Sequence, residues 1–194
     1  LKGFEVELFT GTFAGENVGV ATAITKDLPE FVKEPDQRNL EYITVPDQSY
    51  AVLKHALLLP RVKLRKWLEF KKLTIFPGST LCMGDTENFE RSDMENSYHS
   101  FIEKNYGTTV VTASIHINIG IENLSLLFAA LRLVRCEASL FLALSASSPF
   151  LGGKATGVHS QRWVQFPKTP SSVPMFVDHA HYVQWVENQL AQGN

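Results

Sequence analysis

Two cysteines, Cys82 and Cys136, are all that the 194 residues contain. A disulfide framework needs a shorter, more Cys-dense chain, so none is expected; two thiols suit a reducing compartment, and a cytoplasmic location is expected. Neither cysteine belongs to a CxxC or Cys/His metal signature. An excess of one charge is also missing. Lys and Arg number 18 against 20 Asp and Glu, for a net charge of −2. Nothing global therefore draws the chain to nucleic acid or to an anionic membrane. The most apolar stretch, 124–144, carries Arg132, Arg135 and Glu137 in its middle. That pattern disfavours a membrane span and points to a buried helix, with Cys136 as core. Walker and Rossmann glycine signatures are absent; Gly78-Ser79-Thr80 and Gly152-Gly153-Lys154 are glycine features of low specificity. No signal-peptide pattern precedes the first strand.

What is present begins at the N-terminus. In Gly3-Phe4-Glu5-Val6-Glu7-Leu8-Phe9 an apolar strand carries two carboxylates at alternate positions. Residues i and i+2 of a strand share a face, roughly 6.6 Å apart along the axis. Two carboxylates held so close repel each other and are costly on a dry face. Hard divalent cations such as Mg²⁺ or Mn²⁺ remove that penalty. The alternative is an edge strand with a solvated acidic face.

Hydrophobic residues make up 44% of the chain, enough for the core of one domain of this length. Strands are expected over 1–9, 18–24, 39–45, 73–76, 111–121 and 156–166. Asp47 or Ser49 caps a helix through Leu68 that Pro60 should kink or divide. Its second half is basic, and a solvated helix face is favoured over an anion or RNA patch. A short helix over 97–106 ends at Gly107. Residues 84–96 read as a surface loop, as do the prolines Pro167, Pro170 and Pro174. Asn123 caps a long helix over 124–144, and Asp178 caps a last one. His179 and His181 make only a weak metal pair, because i, i+2 spacing does not put them on one helix face. Hairpin-like loops without strict βαβ alternation argue for an α+β domain with a largely antiparallel sheet.

In 111–121, apolar Ile115, Ile117 and Ile119 alternate with Ser114, His116 and Asn118, predicting a strand with an apolar inner face and a polar outer one. The polar face lacks Lys, Glu and Arg, so a lined cavity is favoured over bulk water. Glu41 is a third strand carboxylate, with Glu34 in the preceding loop. Glu5, Glu7, Glu34, Glu41 and His116 could together hold two or three divalent cations if their strands are neighbours.

Five ordered blocks then resemble a known family: Leu1 through Phe9, Arg38-Asn39-Leu40-Glu41-Tyr42, Pro77-Gly78-Ser79-Thr80-Leu81, Thr112 through Gly120, and Leu144-Ser145-Ala146-Ser147-Ser148-Pro149-Phe150. Together they resemble the cyanobacterial-type glutamate–cysteine ligases, carboxylate–amine ligases related in fold to glutamine synthetase. The resemblance implies a curved, mainly antiparallel sheet backed by helices, whose polar face forms a funnel for ATP, Mg²⁺ or Mn²⁺, and L-glutamate. It implies Glu5, Glu7, Glu34, Glu41 and His116 as metal ligands. Arg162 resembles an arginine that receives a substrate carboxylate, a role suited to its planar fork. Ser114 and Asn118, on the same polar face, are the other candidates for substrate binding.

The implied reaction is ATP-dependent formation of an acyl phosphate on the glutamate side chain, followed by attack of the L-cysteine amine, the opening step of glutathione synthesis. It requires no protein nucleophile. Two departures stand out. Family members are much longer, so 1–194 is expected to be a single catalytic domain cut short, and its ends read as cuts. Gly152 stands where the family usually has Asp. Two alternatives remain: the same ligase chemistry with another amine, and a non-catalytic fragment that keeps only metal or nucleotide binding. Neither nucleic acid nor membrane is expected as a partner.

Overall fold

The computed structural model describes residues 1–84, 86–109, 111–165 and 173–192. Contacts group the chain into two compact units, Leu1–Ile119 with Ser147–Phe166, and Gly120–Ala146 with Pro167–Asn194. The first unit is built on β1 (Lys2–Thr12). One edge of β1 pairs with β3 (Asn39–Ile43), which in turn pairs with β2 (Phe31–Lys33). The other edge is shared: β5 (Ile115–Ile119) takes the first half of β1 and β4 (Leu73–Phe76) the second. Every pairing is antiparallel, as the sequence predicts for an α+β fold.

Alternation along β1 separates its two faces. Phe4, Val6 and Leu8 point to one side, where Val6 faces Tyr42 and Leu8 faces Leu40 across β3. This side packs against α1 (Ala21–Asp27) and α2 (Tyr50–Phe70) through Ala21, Ile24, Leu64 and Leu68. Burying leucine and isoleucine side chains such as Ile24, Leu64 and Leu68 contributes roughly 1.5–3 kcal/mol each. Glu5 and Glu7 point to the opposite side. Phe9 shares their parity, yet it is buried with Leu81, Val111 and Ala113 in a second, smaller core. That core closes one end of the acidic face.

Local structure departs from expectation at several points, each for a physical reason. No strand forms over 18–24, where 18–20 lead into helix α1 and 21–24 belong to it: the Gln37 carbonyl accepts from the N–H of Val20 and Ala21, and the Gln37 side chain accepts from Thr22 N–H. These contacts cap the helix from a distant loop. Helix α2 runs unbroken through Pro60; proline removes only one N–H from the ladder, and Leu53, Leu64 and Leu68 bind both halves to the sheet side. Its N-cap is Ser49, whose Oγ accepts from Val52 N–H. Helix α3 (Ser97–Tyr106) is capped by Asn96 and ends at Gly107, whose φ of 78° relieves the steric conflict a side chain meets there.

The predicted strand over 111–121 shrinks to β5, and its apolar face is not inside: Ile115, Ile117 and Ile119 are each about 60% exposed. Ile115 lines an open apolar groove of about 420 Å³ with Phe4, Val6, Leu53 and Leu57. A hairpin of β6 (Phe150–Leu151) and β7 (Lys154–Ala155) precedes the predicted strand over 156–166, which is instead a loop over 156–160 followed by α6 (Gln161–Gln165); Phe166 lies outside the described residues.

In the second unit the expected long helix divides at Glu137 into α4 (Leu124–Cys136) and α5 (Ala138–Ser145). It is not a buried helix either. Phe128 is the buried side chain of α4, α5 has none, and Cys136 is exposed. Phe128 packs against His179 and Tyr182 of α7 (His179–Ala191). Arg132 and Arg135 donate to the Val177 and Pro174 carbonyls, so the charges that disfavour a membrane span are used locally. Among the described residues no helix is long and apolar enough to cross a membrane. Pro174 is in the described loop before α7; Pro167 and Pro170 lie outside the described residues.

Candidate metal centre

Register alone assembles the site. Glu7 faces Glu41 across β1 and β3, and Glu5 faces His116 across β1 and β5. Residues directly opposite each other in an antiparallel pair share a face, so these four side chains lie on the side of the sheet away from α1 and α2. Val32 pairs with Glu41, and alternation past the end of β2 turns Glu34 to that side as well. One ligand atom from each of Glu5, Glu41 and His116 falls within 4.8 Å of the others.

Within this face a hydrogen-bonded ladder runs along β1 and β5. Asn118 Nδ2 donates to Glu5 Oε1 at 2.8 Å, and His116 Nδ1 lies 2.7 Å from Glu5 Oε2. His116 Nε2 lies 2.9 Å from Ser114 Oγ, and Ser114 Oγ donates to Glu7 Oε1 at 2.7 Å. Ser114 N–H donates to Glu7 Oε2 at 3.0 Å. Glu7 is thus held at both oxygens by one residue, which explains why its carboxylate stands outside the close triad. A hydroxyl has one proton, and Ser114 gives it to Glu7.

The carboxyls differ sharply in their environments. Hydrogen bonds from His116 and then Asn118 lower the Glu5 carboxyl below its ordinary value. Burial, reinforced by the charges of Glu7 and Glu5, raises Glu41. Burial first, and then repulsion from Glu7, Glu41 and Glu5, pushes Glu34 up to about 8. Four acidic groups crowded on one half-buried face resist ionising together. A divalent cation would satisfy all of them, and oxygen donors with one imidazole suit Mg²⁺ or Mn²⁺.

Of the sequence candidates, Glu5, Glu7, Glu34, Glu41 and His116 come to one face. Ser114 and Asn118, expected to bind substrate, here orient Glu7 and Glu5. Arg162 sits on α6, where its N–H donates to Ser148 Oγ at 3.1 Å. Gly152 and Gly153 form the two-residue turn of the β6–β7 hairpin with φ of 57° and 76°, so glycine there answers to backbone geometry. Asp36 and Arg38 were not among the candidates. Both are 1% exposed and form a two-point ion pair beside the acidic face; a buried charge pair two residues apart in a loop leaves no periodic mark in the sequence.

A family model, Glutamate-cysteine ligase family 2 (GCS2), matches residues 1–194. The provisional glutamate–cysteine ligase 2-1 of Rhodococcus jostii (strain RHA1) is 25% identical over 182 residues, covering 89% of this chain and 48% of the relative. The provisional glutamate–cysteine ligase 2-2 of Nocardia farcinica (strain IFM 10152) is 24% identical over 171 residues, covering 85% and 44% respectively. The chain therefore spans about half the length of these curated relatives. A crystal structure of a bifunctional glutathione synthetase from Pasteurella multocida superposes with a TM-score of 0.77 at 18% identity, over 98% of this chain and 30% of that one. The fold is shared with that protein.

Proposed function

Since the chain belongs to glutamate-cysteine ligase family 2, we propose that it carries the divalent-cation site of an ATP-dependent ligase joining the glutamate side-chain carboxylate to the amine of cysteine. The observation that carries this reading is the convergence of Glu5, Glu41 and His116 ligand atoms within 4.8 Å, with Glu7 and Glu34 on the same face.

The chemistry explains the need for such a face. A carboxylate and an amine do not condense at neutral pH, so the carboxylate is first made an acyl phosphate by the ATP γ-phosphoryl group. Bound Mg²⁺ or Mn²⁺ would neutralise phosphate charge and favour in-line geometry. The residues of this chain would act by position. Glu5, Glu41 and His116 offer the closest donors, Glu7 is oriented by Ser114, and Glu34 adds a carboxyl on the same face. Arg162 is the proposed acceptor of a substrate carboxylate. No side chain is asked to become a nucleophile. The cysteine amine attacks the acyl carbon and phosphate leaves.

A second reading has its own support. The chain spans about half of its curated relatives, which favours cation and nucleotide binding without turnover by these residues alone. ADP release from ATP, Mg²⁺ and glutamate, with and without cysteine, separates the two. Cysteine-dependent ADP supports the ligase reading. Mg²⁺ binding that is lost in Glu5→Gln, without ADP release, supports the second. Absence of both removes the cation site.

A further inference from the structure

We propose that Asp36, Arg38 and Ser92 form a positioning clamp that aims the Glu34 carboxyl at the cation site; this rests on the metal-site reading above. Glu34 has a particular difficulty. By the register of β2 on β3 it shares a face with Glu41, Glu7 and Glu5, yet it lies past the last residue of β2, beyond the support of the ladder. Something other than the sheet must fix its backbone.

The stretch from Glu34 to Arg38 is instead tied to the segment 88–92. Ser92 Oγ donates to the Glu34 carbonyl, and Ser92 N–H donates to the Pro35 carbonyl at 3.0 Å. Gln37 N–H donates to the Glu90 carbonyl at 2.7 Å, while Glu90 N–H donates to Asp36 Oδ2 at 3.1 Å. Arg38 Nε and Nη2 donate to the two oxygens of Asp36 at 2.8 and 2.7 Å, and Nη2 also donates to the Asn88 carbonyl. On its other side the Arg38 carbonyl accepts from Thr10 N–H of β1 at 3.0 Å. The clamp therefore joins the Glu34 loop directly to the strand that bears Glu5 and Glu7.

Its composition argues for geometry over stability. Burying two charges carries a desolvation penalty that apolar side chains of similar volume avoid, so such pairs are weak contributors to net stability. What a planar two-point pair adds is a fixed orientation. Groups that orient ligands typically change metal affinity by roughly 10–100-fold when removed.

The test is Mn²⁺ binding, followed by electron paramagnetic resonance and calorimetry on the 194-residue chain, in a mutant cycle with Glu34→Gln. Ser92→Ala is the mild variant, because it keeps the backbone bond to Pro35; Asp36→Asn is the stronger one. Circular dichroism and melting in chelator check that each is folded at the titration temperature. The expected result is a roughly tenfold weaker Mn²⁺ affinity in Ser92→Ala, an altered Mn²⁺ spectrum, and no further loss when Ser92→Ala is added to Glu34→Gln. Non-additivity of that kind marks two residues acting through one. Unchanged affinity in folded Ser92→Ala, or an equal loss on the Glu34→Gln background, would overturn the clamp while leaving the cation site standing. Absence of Mn²⁺ binding by the wild-type chain would overturn both.

Discussion

Glu5 and His116 sit directly opposite each other on β1 and β5, with His116 Nδ1 2.7 Å from Glu5 Oε2. The contact joins the first and last strands of the sheet in chain order, and it leaves both groups open to solvent on one side. Glu5→Gln keeps the shape and removes the charge. We expect it to weaken Mn²⁺ binding by about 100-fold or more, since ligand loss exceeds the loss of an orienting group, while the melting temperature in chelator changes little. Calorimetric titration and a thermal melt test both halves of that expectation.

Glu34 sets a pH dependence with a definite sign. Its carboxyl is pushed from an ordinary 4.5 up to about 8, so the folded chain holds this proton more tightly than the unfolded chain. Its contribution to stability is fully present below 4.5 and is lost as pH rises through 8. Glu41 is raised too and acts in the same sense. In chelator the melting temperature should therefore fall between pH 5 and about 8.5. Added Mg²⁺ should restore more stability at the upper end, because protons no longer compete for the carboxyls. Melts across that range with and without Mg²⁺ measure it; a Mg²⁺ effect independent of pH would count against the assignment.

Ser114 grips Glu7 with both its N–H and its hydroxyl. Ser114→Ala keeps the first bond and removes the second. It should cost about 1 kcal/mol of stability and roughly tenfold in Mn²⁺ affinity. Urea unfolding and Mn²⁺ titration check the two numbers separately.

Leu64 is fully buried between α2 and the sheet, far in kind from the acidic face. Leu64→Ala should destabilise the fold by about 2–5 kcal/mol. Cation affinity per folded molecule should be unchanged. Urea unfolding gives the first quantity and titration well below the transition gives the second.

Gly152 lies at φ 57° and an added Cβ would meet Thr86 at an ordinary 3.5 Å. Gly152→Ala should therefore cost about 1 kcal/mol through backbone strain alone. Gly152→Asp should cost less, because Asp tolerates the left-handed region better. Comparing the urea midpoints of the two variants tests whether strain, and not space, governs this turn.

The acidic face was legible because strand alternation is simple arithmetic: once Glu5 and Glu7 are on a strand, their common side follows. That Glu41 and His116 join them depends on pairing between strands distant in the chain, which alternation does not contain. Helix α1 leaves no local signal because its cap comes from Gln37, and no local pattern announces a carbonyl from another loop. Pro60 does not divide α2, because the lost bond is local while the packing of Leu64 and Leu68 is not. The isoleucines of β5 alternate as a buried strand should, yet stand exposed among the described residues; alternation records which side is apolar, and coverage depends on what packs there. The Asp36–Arg38 pair leaves no mark in the sequence, because two charges in a polar loop resemble solvated ones until their burial is known.

The pairing of Glu7 with Glu41 and of Val6 with Tyr42 comes from one register between β1 and β3. Sliding either strand by a single residue would turn the carboxylates toward α2 and the aromatic and aliphatic side chains toward water. A mispaired sheet would thus lose its oily side and its acidic side in the same stroke. Every odd-numbered slip is rejected by both faces at once, so the register is proof-read against half of its possible errors by the chain itself.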